Sequence, residues 1–324
     1  MKQFKLGFGP MSKEIIDLLI EYSNKNNFPL MIICSRNQVD YTGGYVVSTE
    51  YFSSKVENKS NILLCRDHCG PYFKDSDKEL SLDDTITQCK KTIEVDINNN
   101  FDLIHVDVSK VNASDQLEIA AELINFALDM NPDILFEFGS EENTGSMLEE
   151  TFSRLNSQIE FCKKYKNIKF FVTQTGSFIK DKQIGNFNLQ KNKIISNIIH
   201  SHGFLFKEHN GDYLSTEDIR LRKQAGIDAI NIAPQLGTTQ TKLLFELFHN
   251  TENWNNFYKV VLEGKKYSRW QPNKNTDELL SVLVSGHYFF NTKEYFDLIS
   301  SVNFINLLRP RIFSILDSYR VFNE

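Results

Sequence analysis

The chain has 324 residues, 41% hydrophobic and 24% charged, with a net charge of −6. This is globular composition with length for a large core; its acids, interspersed among Lys and Arg, exclude a basic nucleic-acid surface, and no apolar stretch approaches the roughly 18–20 residues of a membrane span. The opening MKQFKLGFGP is too short and polar for a signal peptide, and the odd set of five cysteines reads as reduced thiols of a cytoplasmic protein.

Short apolar runs alternate with helix-period segments. The runs are LGFG (6–9), LMIIC (30–34), NILLC (61–65), LIHVDV (103–108), ILFEFG (134–139), KFFVTQ (169–174), FLFKEH (204–209) and AINIA (229–233). Between most of them lies an amphipathic pattern such as SKEIIDLLIEYSNK or SDQLEIAAELINFALDM, with Ser12 and Ser114 as expected N-caps. Parallel strands need crossovers, so strand-then-helix repetition argues for a parallel sheet. Eight such units predict a closed (β/α)8 TIM barrel over 1–250. A doubly wound open sheet is the alternative, but no G-x-G-x-x-G follows the first strand. Cys65 and Cys69 are four apart without a second pair, which argues against a structural zinc site.

After Asn250 the alternation stops. Helical spacing and clustered aromatics, among them Trp254, Phe257, Tyr258, Trp270, Phe289 and Phe290, predict a helical extension over 251–324. Such a unit packs on the barrel or on a second subunit. Its aromatic area leads to the expectation that it serves assembly rather than chemistry, in a homo-oligomer or a complex with another subunit.

In a barrel, chemistry collects where the strands end. The second run leads into Arg36, Asn37 and Gln38, the third into Arg66, Asp67 and His68, the sixth ends in Gln174, and the eighth carries Asn231. Residues two apart on a strand share a face, which points His105 and Asp107, Glu137 and Glu141, and Lys207 and His209 into the barrel. Buried charges must pair or bind an ion. His105 and Glu137 read as a buried structural pair. Lys207 reads as a partner in that network, as a substrate-binding cation, or as a Schiff-base lysine. His68 and His209, with Glu141 and Asp107 at the same rim, predict a divalent metal site, because imidazole and carboxylate are the usual zinc or manganese ligands. Gly237-Thr238-Thr239 reads either as a phosphate seat at a helix start or as a plain cap. Arg36 and Arg66 are further anion candidates. His200, His202, His249 and His287 carry no expected role.

Taken in order, SRNQVDYTGGY (35–45), DHCGP (67–71), IHVDVS (104–109), GSEE (139–142), KEHNGDY (207–213), NIAPQLG through LLFEL (231–247), RWQP (269–272) and ILDSYR (315–320) carry a resemblance. The chain resembles the Z-type, so-called non-catalytic, subunit family of class II D-tagatose-1,6-bisphosphate aldolase, whose relatives include ketose-phosphate 4-epimerases. The resemblance implies a metal-dependent barrel acting on a sugar phosphate by aldol cleavage or C4 epimerisation. Asp67 would transfer protons and His68 would hold the metal, while His209 and Glu141 match the family's strand-seven histidine and strand-five glutamate, so that Asp67 and Glu141 are the catalytic candidates. Asn37, Gln38, Arg66, Asp107, Gln174, Lys207, Asn231 and Thr238 are the expected substrate contacts. The metal expected on His68, Glu141 and His209 is Zn2+ foremost, with Mn2+ or Co2+ as alternatives. The resemblance also leaves open a second role, as a stabilising partner of a separate catalytic aldolase subunit.

Overall fold

The structure is a computed structural model that describes residues 1, 3–56, 60–139, 149–270 and 277–323. Eight parallel strands close into a barrel: β1 (Leu6–Phe8), β2 (Leu30–Ser35), β3 (Ile62–Cys69), β4 (Leu103–Asp107), β5 (Leu135–Gly139), β6 (Ile168–Val172), β7 (Leu205–Glu208) and β8 (Ala229–Ile232). Each pairs with its neighbour in the chain, and β1 closes on β8 with Leu6 opposite Ile230. All eight predicted runs are therefore strands, although β3 runs four residues beyond the predicted 61–65.

Helices follow the strands in turn: α1 (Lys13–Asn26), α2 (Thr49–Ser54), α3 (Leu82–Asn98), α4 (Gln116–Met130), α5 (Glu149–Cys162), α6 (Leu189–Ser201), α7 (Thr216–Ala225) and α8 (Pro234–Phe248). Ser12 caps α1 as expected, its hydroxyl accepting from the Ile15 amide at 3.1 Å. Ser114 does not cap α4. The cap position falls on Asp115, and the Ser114 hydroxyl bonds the Asp115 carboxylate instead.

The alternation of each strand divides the core in two. One face packs against the helices, through residues such as Leu64, Ile104, Val106, Phe136, Phe138, Phe206 and Ile230. The other fills the base of the barrel with Met31, Ile33, Cys65, Leu103, Phe170 and Ala229. Apolar packing stops there, and the barrel interior above it is polar. All five cysteines are buried and unpaired. Among the described residues no helix is long and apolar enough to cross a membrane.

Arg66 corrects one expectation. It belongs to the helix-facing side of β3, not to the interior, and is fully buried. Its Nε and Nη2 each donate to the Asp96 carboxylate on α3 at 2.7 Å, and Nη1 donates to the carbonyls of Cys34 and Val39. With its donors engaged outside the barrel, it cannot contact a substrate. Arg36 is held the same way, by Asp77 at 2.5 Å and by Thr92 of α3 at 3.0 Å.

The extension beyond α8 contains α9 (Glu252–Glu263), α10 (Glu278–Ser285), α11 (Lys293–Ile299) and α12 (Phe304–Tyr319). Several of its aromatics pack inside the chain: Trp254, Phe257, Phe290 and Tyr295 are buried, while Phe296 is exposed. It covers the barrel through α1 and α8. Tyr22 donates to Asp317 at 2.6 Å, Arg309 pairs with Glu21 at 2.8 Å, and Gln240 donates to the Tyr295 hydroxyl at 2.7 Å. Lys266 and Arg269, in the turn after α9, both reach Asp75 in the loop after β3.

Removing one partner of a buried ion pair strands the other charge, at a cost of about 3–5 kcal/mol, whereas replacing both with apolar groups is often neutral. Arg66→Met should therefore lower unfolding stability by about that amount, and the double variant Arg66→Met, Asp96→Leu should recover most of it. Urea titration of the three proteins checks this; an unchanged midpoint in the single variant would contradict it.

Candidate active site at the mouth of the barrel

Adjacent strand residues normally point to opposite faces, yet Asp67 and His68 both join one cluster. An extra residue in β3 makes this possible. Cys65 pairs with Leu103 and Arg66 with Ile104, but the next pairing is Cys69 with Val106, so three steps on β3 match two on β4. This is a β-bulge, a device that re-aims side chains. His68 takes the irregular backbone, with φ of 46°. Gly70 then passes so close to β4 that a side-chain carbon there would lie 1.6 Å from the Asp107 carbonyl oxygen.

Around Asp67 stand three imidazoles. Its carboxylate lies 3.3 Å from Nδ1 of His209, 3.5 Å from Nδ1 of His105 and 3.6 Å from Nε2 of His68. The rings are 4.6 to 5.2 Å apart by centroid. Each outer histidine has a carboxylate behind it. Nδ1 of His68 meets Asp107 at 2.6 Å, and Nε2 of His209 meets Glu137 at 3.0 Å. Asp107 also accepts from the Ser109 amide at 3.0 Å, and Glu137 accepts from Lys207.

Electrostatics fix the proton positions. Burial opposes ionisation of Asp107 and Glu137, but His68 and His105 around the one, and Lys207 and His209 around the other, bring both to about 2. As anions, both carboxylates accept, so the bonded ring nitrogens carry the hydrogens. Nε2 of His68 and Nδ1 of His209 are the ring nitrogens turned toward Asp67. Burial also works against the Asp67 anion, yet the three histidines hold it well below the usual carboxylate range. His68 is pushed up to about 9, since Asp67 and Asp107 outweigh its burial. Burial pushes His209 down.

Donor atoms of Asp67, His68, His105 and His209 all lie within 4.8 Å of one another. Oδ1 of Asp67, Nε2 of His105 and Nδ1 of His209 are buried without a hydrogen-bond partner among the described residues. Carboxylate-backed histidines are the usual support of a metal site, and this nitrogen and oxygen set suits a divalent transition metal. The residues present therefore fit such an ion. Asp107 belongs behind His68 in this arrangement, while Glu141 lies outside the described residues.

Two adjoining cavities open over the cluster, both lined by His68, Phe73, His209 and Asn210. One, of about 340 Å³, includes His105, Asp107 and Gln174. The other, of about 390 Å³, includes Asn37, Gln38, Asp67 and Asn231. The Asn37 amide is engaged with the Phe73 carbonyl and the Asp75 amide, and the Gln38 carbonyl with Ser35.

Two more expected substrate contacts are corrected. Lys207 is fully buried beneath the cluster and paired with Glu137, which leaves no route to a substrate. Thr238 is buried on α8, accepts from the Tyr213 hydroxyl at 3.1 Å, and lines neither cavity. The expected phosphate seat there is already filled: Asp212 accepts from the Ala233 and Gln235 amides at 3.0 and 2.8 Å, and Gly237 is covered by His287. His105 is also more than the structural partner of Glu137, whose oxygens go to Lys207 and His209.

Sequence reasoning missed the distant wall of the larger cavity, built by Arg269, Trp270, His287 and Tyr288 of the extension. It also missed the hairpin of Ser177–Ile179 and Gln183–Gly185, whose Phe178 and Ile179 line the same space. The RWQP stretch singles out Arg269 and Trp270, and Trp270 also stands among the aromatics of the extension, but neither is expected at the site.

A similar fold is found in a "probable tagatose 6 phosphate kinase" from Sinorhizobium meliloti 1021, at 18% identity and a TM-score of 0.75, covering 99% of this chain and 93% of that one. It is also found in fructose-bisphosphate aldolase from Campylobacter jejuni, at 13% identity and a TM-score of 0.56, covering 93% and 91%. The YdjI aldolase from Escherichia coli K12 matches at 13% identity and a TM-score of 0.51, covering 93% of each chain. At these identities the likeness shows the fold. The sequence itself matches the family of class-II fructose-bisphosphate aldolases over residues 7–280. With most of its length in that match, the chain belongs to the class-II fructose-bisphosphate aldolase family.

Proposed function

We propose that this chain is a divalent-metal-dependent enzyme of ketose phosphates, cleaving or forming the C3–C4 bond or inverting C4 by the same chemistry. One observation carries the reading: two histidines, each oriented by its own ionised carboxylate, converge with Asp67 at the mouth of the barrel. His68 and His209 would hold the ion, with Asp67 and His105 alongside. When bound, the ion supplies Lewis-acid polarisation of a substrate carbonyl, with Zn2+ favoured by the donor set.

The remaining work falls to this chain's side chains. Asp67, an anion among histidines, accepts the proton of the C4 hydroxyl when the bond breaks and returns it when the bond forms. Glu137 and Asp107 keep the two rings in the tautomer that faces inward. Lys207 keeps Glu137 charged and stays out of the reaction. Returning the same aldehyde gives back the substrate, and returning it with its face turned gives the C4 epimer. The Z-type aldolase relatives and the ketose-phosphate 4-epimerases are therefore alternative uses of one site. The tagatose configuration and any oligomeric assembly belong to this proposal as well.

His68→Ala and His209→Ala should each lower zinc content, measured by elemental analysis after dialysis against a chelator. Asp107→Asn should weaken zinc about 10–100-fold, as expected for an outer-shell partner. Full occupancy in both alanine variants would remove the assignment.

Asp67→Asn should keep the barrel folded but lower turnover of a ketose bisphosphate by about 10²–10⁴-fold, the usual contribution of a general acid or base. Undiminished turnover would take Asp67 out of the mechanism.

Borohydride added with substrate should leave the intact mass of the chain unchanged, because Lys207 is sealed from the cavity by its pairing. Covalent capture of substrate at Lys207 would replace the metal chemistry with a Schiff base.

A further inference from the structure

We propose that the C-terminal extension completes the substrate site, and that its His287, set beside the contact already expected at Asn231 of β8, reads the neutral hydroxyl-bearing carbons of the substrate. This rests on the sugar-phosphate reading above and assigns the part of the substrate remote from the ion.

His287 lies in the turn Gly286–Phe289 after α10 and is fully buried, yet neither ring nitrogen has a hydrogen-bond partner among the described residues. Asn231 is 3% exposed, and neither its amide nitrogen nor its amide oxygen has a partner among the described residues. Both line the cavity that also holds Asp67, His68 and His209. Buried polar groups are nearly always hydrogen-bonded. Two such residues, unmet at both ends and facing one cavity beside the candidate metal cluster, indicate groups that wait for a ligand.

Space for both side chains is kept by glycines. A side-chain carbon on Gly7 would lie 2.3 Å from Oδ1 of Asn231, and one on Gly237 would lie 2.7 Å from Cβ of His287. A carbon on Gly286 would lie 2.6 Å from Thr241, so the turn that delivers His287 can sit this close to α8 only without one. Aromatic rings of Tyr45, Trp270 and Tyr288, at 6.0, 6.1 and 4.2 Å from the imidazole, wall it in.

The donor and acceptor set defines the ligand. Burial, helped by the charge on Arg269, pushes His287 down to about 3, so near neutral pH the ring is uncharged and offers one N–H and one lone pair. Asn231 likewise offers both a donor and an acceptor. A phosphate or carboxylate accepts only and would face the two acceptors unfavourably. An apolar tail would satisfy none of the four groups. A hydroxyl donates and accepts, so a chain of carbinol carbons matches the set. Arg269 stands in the same cavity, but its charge is tied to Asp75.

The test uses the full-length zinc-loaded chain, with hexitol 6-phosphate as a non-cleavable probe, and the set of its monodeoxy analogues. Calorimetric titration of the wild type should show at least one deoxy position bound roughly 5- to 150-fold more weakly, the loss expected when buried polar groups go unpaired. His287→Phe should weaken the parent hexitol phosphate by a similar factor and abolish the discrimination. His287→Gln, which keeps a donor and an acceptor, should restore part of it. Asn231→Ala provides a second variant should His287→Phe fail to fold. Zinc content and circular dichroism should stay at wild-type values in the variants compared. Equal affinity for every deoxy analogue in the wild type, or unchanged discrimination in folded His287→Phe or Asn231→Ala, would overturn the inference and leave the functional reading standing. A wild type that binds zinc but turns over no ketose phosphate would instead overturn the functional reading, and the inference with it.

Discussion

The site depends on one extra residue in β3. Without the bulge between Arg66 and Cys69, alternation would send His68 into the helix layer or Asp67 away from the axis, and no cluster would form. The irregularity also requires its surroundings. Gly70 must be a glycine to clear β4, and Arg66, on the strand's other face, ties β3 to α3 through Asp96. A local deviation in the sheet is thus held between a tight backbone approach on one side and a buried ion pair on the other.

From that point the interior is organised by charge. A carboxylate inside a barrel is tolerable only with a partner. Glu137 has two, Lys207 below and His209 above, and so passes the influence of a fully buried cation up to a ring at the cavity surface. Asp107 does the same for His68, using a backbone amide where Glu137 uses a lysine. The two supports differ in chemistry and agree in effect. Each leaves one imidazole nitrogen facing Asp67.

Much of this could be read from the chain. The apolar runs gave the eight strands, and alternation placed His105, Asp107, Glu137, Lys207 and His209 inside, where they are. What failed was reading proximity in sequence as proximity to the substrate. Arg66 adjoins Asp67, but strand parity turns it outward, and parity alone would have excluded it. Thr238 sits near a helix start, but a carboxylate from the preceding loop, Asp212, already satisfies those amides; nothing local announces that contact. Lys207 has the right face but the wrong height, one layer below the cavity floor. His287 was illegible for a further reason. It reaches the site from a segment with no βα pattern, through packing against Gly237 that only the folded chain reveals. Glu141 lies outside the described residues.

The wall contributed by Arg269, Trp270, His287 and Tyr288 rests on a different kind of support from the cluster it faces. The clustered side chains come from strand ends, where any shift in register moves several of them together. The facing wall comes from turns between helices, which can lengthen, shorten or change residue without disturbing the barrel's hydrogen-bond ladder. A change in the facing wall would therefore leave the strand-end cluster in place.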